Sequence, residues 1–439
     1  MRVLPIPFSI PSIDKTPTTT RLNILFVADV SAAAVIGGAE RVLFEQGTRL
    51  AQRGHCVHLI TRRLPGHQGD REHIQGVEEI RCAFAPQGGL RSVVQSWQQA
   101  RRQLVRLHEH LPIDILNVHQ PLTAFGLISP AAVLGIPRVY TCHSLSAEEY
   151  ISRNTATGPA NRLLRCLNAA ARKRAERRVL RSCDRVIALS YYTRDKLWRA
   201  HGIAADRVDI VPGGVDLDRF CPAADKAALR NELGIPQDRF VVFTVRNLVP
   251  RMGVDRLVQA MQTVSSQIPQ ALLVIGGHGP LRDELLTIGN HLNLQDHVRM
   301  AGFVPEEALA RYYQMADLFV LPSLDLEGFG MVTLEAMACG LPVIGTPVGG
   351  TKEILSGFNR RYLLRGSGVE DIAQGIISYY ELISASRTRA FEISRECRRH
   401  VEARYSWNQN IATLERLFNQ AKHGRSPRPV VAHAGVSGN

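Results

Sequence analysis

From Arg21 onward, short apolar runs alternate with amphipathic stretches of helical period, and this rhythm constrains the fold more than any other feature of the chain. NILFVAD at 23–29, HCVHLIT at 55–61, DILNVH at 114–119, RVYTCH at 138–143 and RVIALS at 185–190 read as buried strands. A glycine-bearing turn in VPGGVDLDRF at 211–220 interrupts the pattern, which then restarts with FVVFTV at 240–245, ALLVIG at 271–276, DLFVLPS at 317–323 and PVIGT at 342–346. Strand–helix–strand alternation implies parallel sheets covered on both faces. The interruption makes two doubly wound α/β domains joined near 212–222, with mobile tails at 1–20 and 423–439. In such domains ligands bind beyond the carboxyl ends of the strands, so a cleft between the two is the expected site.

The other gross features narrow the class. With 439 residues and 45% of them hydrophobic, the chain can bury ordinary cores. No apolar run approaches the roughly 18 residues of a spanning helix, and four prolines break the opening twenty residues, so neither a membrane span nor a secretory leader is expected. The eight cysteines are scattered, without zinc spacing, as expected of reduced thiols in the cytoplasm. Charge is uneven: residues 1–220 hold 30 Lys and Arg against 19 Asp and Glu, whereas residues 221–439 hold 23 against 21. The first half should therefore meet something anionic, with no nucleic-acid reading module to accompany the charge.

The most informative loop lies within LPSLDLEGFGMVTLEAMACGLPVIGTPVGG at 321–350. Gly328 and Gly330 permit close backbone approach. The amides of Met331, Val332 and Thr333 open a helix, where an anion is favoured by free N–H groups and the helix dipole. Glu327 and Glu335 lie eight positions apart, Glu335 in the expected first turn, and a carboxylate can accept paired hydrogen bonds from vicinal hydroxyls. These residues alone describe a phosphate-and-diol site.

The segment resembles the nucleotide-sugar site of family-four (group 1) retaining glycosyltransferases, whose pair of glutamates eight apart matches Glu327 and Glu335 with EGFG and EAMACGLPV around them. The likeness continues through GGAER at 37–41, DRVIALS at 184–190, GHGPLRDEL at 277–285, GFVPEEAL at 302–309 and SWNQN at 406–410. It implies the GT-B fold: two Rossmann-like domains facing across a cleft, an acceptor domain at 21–215, a nucleotide-sugar domain at 216–390, and C-terminal helices at 391–422 crossing back. It implies that Glu335 holds the ribose hydroxyls and that Glu327 meets the donor sugar. Met331 and Val332 would bind the diphosphate, with Gly328, Phe329 and Gly330 shaping the loop. The backbone from Gly302 to Val304 would border the base, Gly37 and Gly38 would approach sugar and phosphates, and His119 would face the sugar. His143, with Glu148 or Glu149, is a candidate for orienting the acceptor. No cofactor and no metal are implied, the donor itself being a substrate.

One departure bears on catalysis. Where the family places an arginine and a lysine five residues apart to neutralise the leaving diphosphate, this chain has Asn247 and Met252 in VRNLVPRMG at 245–253. Arg246 and Arg251 either turn inward as substitutes or are solvated, since neighbours along a strand point to opposite faces. The resulting alternatives are a retaining transferase acting on a glycan, lipid-linked or small-molecule hydroxyl, a catalytically silent GT-B sugar-nucleotide-binding or partner protein, and a sugar-nucleotide epimerase or hydrolase. Finally, the stretch 158–182 carries a helical stripe of Leu164, Leu167, Ala171, Ala175 and Val179, expected to pack on the domain. Its other faces bear Arg162, Arg165, Arg172, Lys173, Arg174, Arg177, Arg178 and Arg181, suited to an anionic membrane at the inner face.

Overall fold

The computed structural model describes residues 20–31, 37–63, 69–83, 89–154 and 158–424; both expected tails, apart from residues 20, 423 and 424, lie outside the described residues. The first sheet contains β1 (Asn23–Val27), β2 (Cys56–Arg62), β3 (Arg71–Ile74), β4 (Val77–Cys82), β5 (Ile115–Val118), β6 (Arg138–Cys142), β7 (Arg185–Ala188) and β8 (Val208–Ile210). Their order is β3-β4-β2-β1-β5-β6-β7-β8, parallel except for the β3–β4 pair. The second sheet contains β9 (Phe240–Val245), β10 (Ala271–Gly276), β11 (Val298–Gly302), β12 (Leu318–Leu321) and β13 (Val343–Gly345), in the all-parallel order β11-β10-β9-β12-β13. Two doubly wound Rossmann-like sheets are thus present, as the apolar runs imply.

Each sheet reverses its winding once. The chain leaves β1 toward β2 on one side and reaches β5 on the other, and it does the same from β9 toward β10 and then β12. Crevices form at such switch points, beyond the carboxyl ends of the adjoining strands. The residues that follow β5 and β12 are His119 and the loop leading to Gly330.

The domains are joined by packing as well as by chain. Helix Trp407–His423 buries Ile411, Leu414, Leu417 and Phe418 against Leu22, Ile24 and Phe26 of the first domain. Helix Arg387–Arg404 stays with the second domain, adding Ile393, Cys397 and Val401 to its core, so among the described residues the return crossing is made by the last helix alone. At the crossing, Val215 N–H donates to the Tyr405 carbonyl at 2.9 Å. A Cβ on Gly214 would sit 2.6 Å from the Trp407 nitrogen, which is why VPGG carries a glycine there.

The structure departs from the sequence pattern in two places. The hairpin β3–β4 escaped the apolar pattern because its strands are charged; it is turned by Gln75 and Gly76 at positive φ, and the buried Glu79 carboxylate accepts from Thr61 Oγ1 and Arg81 Nε, each at 3.0 Å. The helix Pro159–Ser182 is rotated from its expected seat: Leu164 and Leu167 are 58% and 59% exposed, Val179 alone of the expected stripe is fully buried, and Ala169, Glu176 and Leu180 face inward with it. Glu176 sets that orientation. Fully buried, it accepts from Tyr140 Oη at 3.1 Å and the Ser146 amide at 3.2 Å and contacts His201 Nε2 at 2.9 Å.

Candidate active site in the interdomain cleft

The loop after β12 leads into helix Met331–Ala338 through Gly330, whose φ of +97° places it in left-handed space. A Cβ there would also lie 2.3 Å from Thr351 Oγ1. Gly349 and Gly350 open the next helix and press on the same loop: a Cβ on Gly350 would meet Phe329 Cα at 2.5 Å, and the Gly350 amide donates to the Glu327 carbonyl at 2.9 Å. The glycines of EGFG and PVGG are therefore mutually required. The first amides of the helix, at Met331 and Val332, have no acceptor one turn back within it.

The first domain closes over this loop. The Gly328 carbonyl accepts from Ser190 Oγ at 2.6 Å and Thr193 Oγ1 at 3.2 Å, and a Cβ on Gly328 would meet the His143 carbonyl at 2.5 Å. Glu353 accepts from the Tyr191 and Tyr192 amides at 3.0 and 2.7 Å, capping a first-domain helix from the second domain. Burial raises the pKa of Glu353 although those amides oppose it. Gly38 lies at the start of helix Gly38–Gln52, where a Cβ would be 3.5 Å from Met331 Cγ, and Gly37 precedes it. The two helix N-termini face each other across the cleft.

Glu335 is the fifth residue of its helix, and so in the second turn rather than the first. It is buried, accepts from Tyr313 Oη at 2.9 Å, and forms an ion pair with Arg41 of the first domain, whose Nε is 3.7 Å away. Burial raises its pKa against the opposing pull of Arg41 and Tyr313. Arg41 also pairs with Glu306, as does Arg219 from the link between domains. GGAER contained the arginine, but nothing in its spacing announced a partner 265 residues away.

Comparison with known proteins decides the family. The family model for glycosyl transferases group 1 matches residues 225–394, and that for glycosyltransferase family 4 matches residues 36–219. A D-inositol 3-phosphate glycosyltransferase of Kineococcus radiotolerans is 31% identical over 72% of this chain and 74% of its own. The chain belongs to the group 1 glycosyltransferases. A GDP-mannose-dependent alpha-(1-6)-phosphatidylinositol monomannoside mannosyltransferase of Mycolicibacterium smegmatis is 33% identical over 57% of this chain, and the match spans 66% of that relative. Among solved structures, sucrose-phosphate synthase from Thermosynechococcus elongatus superposes with a TM-score of 0.75 at 25% identity, covering 92% of this chain and all of the other.

In this group 1 glycosyltransferase the two arginines in doubt both turn inward. Arg246 directly follows β9, is 9% exposed, and pairs with the Glu327 carboxylate, which also accepts from Ser323 Oγ at 2.9 Å. Arg251 escapes strand alternation because it lies in a short 3-10 turn, Pro250–Met252, closed by Gly253 at φ +66°. Its guanidinium is 3.3 Å from the Leu326 carbonyl and 3.8 Å from Glu149 of the first domain, and burial lowers its pKa. Asn247 is exposed and Met252 is buried against Arg246, so neither position supplies a cation to the cleft.

His119 is engaged on both ring nitrogens. Nε2 lies 3.0 Å from Asn117 Nδ2 and Nδ1 lies 3.0 Å from His143 Nε2. Asn117 accepts from Thr141 Oγ1 at 3.0 Å, so its amide nitrogen donates to His119 Nε2; the His119 proton then sits on Nδ1 and is given to His143. His143 Nδ1 is buried without a partner. Burial holds the His119 pKa well below the ordinary 6.5 and brings His143 down to about 4, so both rings are neutral at pH 7. Of the two acidic neighbours, Glu148 is turned to Lys196 at 2.5 Å, whereas Glu149 pairs with Ser144 and Arg153 and faces Arg251. Burial pushes the Glu149 carboxyl up, but these partners outweigh it and its pKa lies below the ordinary value.

Gly302 ends β11 at φ +71°, its carbonyl accepting from the Gly277 amide at 2.7 Å, and both Gly302 and Val304 are half-buried. Among the described residues no three of His, Cys, Asp and Glu converge as metal ligands.

Proposed function

We propose that this group 1 glycosyltransferase moves a glycosyl residue from a nucleoside-diphosphate sugar to an acceptor hydroxyl with retention at the anomeric carbon and without a metal. The observation that carries the reading is the placement of the Met331 helix start against Gly38, with the Glu327–Gly330 loop leading into it and Glu335 buried behind them. The amides of Met331 and Val332 receive the diphosphate, Glu335 takes the ribose hydroxyls, Glu327 the sugar, and the backbone at Gly302 and Val304 borders the base. Two relatives named for a GDP-mannose donor and an inositol phosphate acceptor support a sugar nucleotide and a hydroxyl acceptor without selecting either for this chain.

Bond cleavage leaves an oxocarbenium-like sugar and an anionic diphosphate. The helix amides and Arg251 stabilise the anion, while Arg246 holds Glu327 in place and lends only the charge that this pairing leaves. Same-face attack lets the departing phosphate oxygen accept the hydroxyl proton, so neutral His119 and His143 serve as polar walls of the sugar pocket and no dedicated base is required. Domain closure through Glu353 and Gly328 excludes water from the donor. The work place is the cytoplasm, at the inner face of a membrane that supplies an acceptor on a glycan, a lipid-linked sugar or a small metabolite.

A second reading, a silent sugar-nucleotide-binding protein, is favoured by the cation-free positions Asn247 and Met252. Nucleotide release from UDP-, GDP-, ADP- and dTDP-sugars, followed with and without candidate acceptors, separates the two. Acceptor-dependent release establishes transfer; donor binding without release on any acceptor establishes the silent protein.

A further inference from the structure

The helix Pro159–Ser182 presents an apolar solvent face. Leu163, Leu164 and Leu167 are 62%, 58% and 59% exposed, and Ile151 of the adjoining helix Ser146–Arg153 is 46% exposed. The same side of the helix continues as cations: 163, 167, 174, 178 and 181 are separated by four, seven, four and three residues, a spacing that keeps Leu163, Leu167, Arg174, Arg178 and Arg181 on one face. All three of those arginines are exposed. The helix is 24 residues long, roughly 36 Å, so leucines at one end and arginines at the other form a single elongated strip. Its position is held from below by the buried Glu176, by Arg172 stacked 4.6 Å over Tyr150, and by Arg165 donating to the Asn154 carbonyl at 2.9 Å.

We propose that this strip docks on an anionic lipid bilayer, the leucines and Ile151 entering the acyl boundary and Arg174, Arg178 and Arg181 lying on the headgroups. The inference rests on the membrane-side transferase reading and deepens it by naming the surface. A protein partner would be served by apolar burial alone, whereas apolar residues in line with an uninterrupted row of cations match the two layers of an anionic bilayer, hydrocarbon beneath phosphate. The helix that carries Ile151 also carries Glu149, which faces Arg251 across the cleft. A bilayer held there lies beside the acceptor candidates, and an acceptor borne by a lipid reaches the site without leaving the surface.

The test is cosedimentation of the full chain with vesicles of phosphatidylcholine and of phosphatidylcholine mixed with phosphatidylglycerol, for wild type, a Leu163→Ser/Leu164→Ser/Leu167→Ser variant and an Arg174→Glu/Arg178→Glu/Arg181→Glu variant. The proposal expects binding to the anionic vesicles only, weakened at least tenfold in both variants. Failure of wild type to bind, equal binding to both vesicle types, or an unaffected leucine variant overturns it. Sedimentation velocity without vesicles covers the remaining occupant: a dimer dissolved by the leucine substitutions, with no affinity for vesicles, makes the strip a self-interface and also overturns the proposal. Sugar-nucleotide binding by the same variants in vesicle-free buffer separates the two readings. Donor binding without vesicle binding removes the docking surface alone, and vesicle binding without donor binding removes the site alone.

Discussion

Arg41 of the first domain points its Nε at the buried carboxylate of Glu335 in the second, 3.7 Å away, the carboxylate to which the proposed function gives the ribose hydroxyls. Under the proposed function, a bound sugar nucleotide takes over the partner role that this guanidinium plays. Breaking such a pair leaves the buried carboxylate with the Tyr313 hydrogen bond and the more distant charge of Arg219, a loss of about 3 kcal/mol. Chemical unfolding of Arg41→Ala should show a deficit of that order without ligand and a smaller one with saturating nucleotide; an equal deficit in both conditions contradicts the exchange of partners.

Arg251→Ala should lower kcat roughly 10- to 100-fold with little change in donor KM, because a cation that meets charge developing on the leaving diphosphate acts mainly in the transition state. Unchanged steady-state kinetics would dismiss Arg251 as the substitute for the cations absent at 247 and 252.

The pH dependence of stability follows from the imidazole pair. His119 and His143 have pKa values pushed below the ordinary 6.5 by burial, His143 to about 4. The unfolded chain thus binds more protons than the folded one below pH 6.5, and stability present above that pH declines toward pH 4. The His143 contribution is on the order of 3 kcal/mol. Urea titrations from pH 7 to pH 4 should show a shallower decline for His143→Gln than for wild type; parallel curves would contradict burial of the neutral ring.

Gly350→Ala should damage donor binding from outside the pocket. Its Cβ would lie 2.5 Å from Phe329 Cα, so the Glu327–Gly330 loop must move. Calorimetric affinity for the donor nucleotide is expected to fall at least tenfold, with secondary structure by circular dichroism unchanged. Retained affinity would mean that the loop does not bind the nucleotide.

The parts of the molecule legible in the sequence are those set by local pattern. Strands such as Phe240–Val245 are buried on both faces and read as unbroken apolar runs, and the glycines of EGFG and VPGG mark backbone contacts that a side chain would block. Long-range pairing is a different matter. Nothing local told that Arg246 would face Glu327, that Arg41 would reach Glu306 and Glu335, or that Asn117 would fix the tautomer of His119. The seat of helix Pro159–Ser182 is hidden for a related reason: its apolar stripe suggests one inward face, but buried Glu176, with Tyr140, His201 and the Ser146 amide around it, selects another and leaves the leucines outside.

The most direct test of the account is calorimetric titration of the wild-type chain and Glu335→Ala with UDP, GDP, ADP and dTDP and their sugars. The account predicts saturable binding of at least one nucleotide, weakened at least tenfold by the substitution. No heat with any of them, or affinity that is indifferent to Glu335, would contradict it.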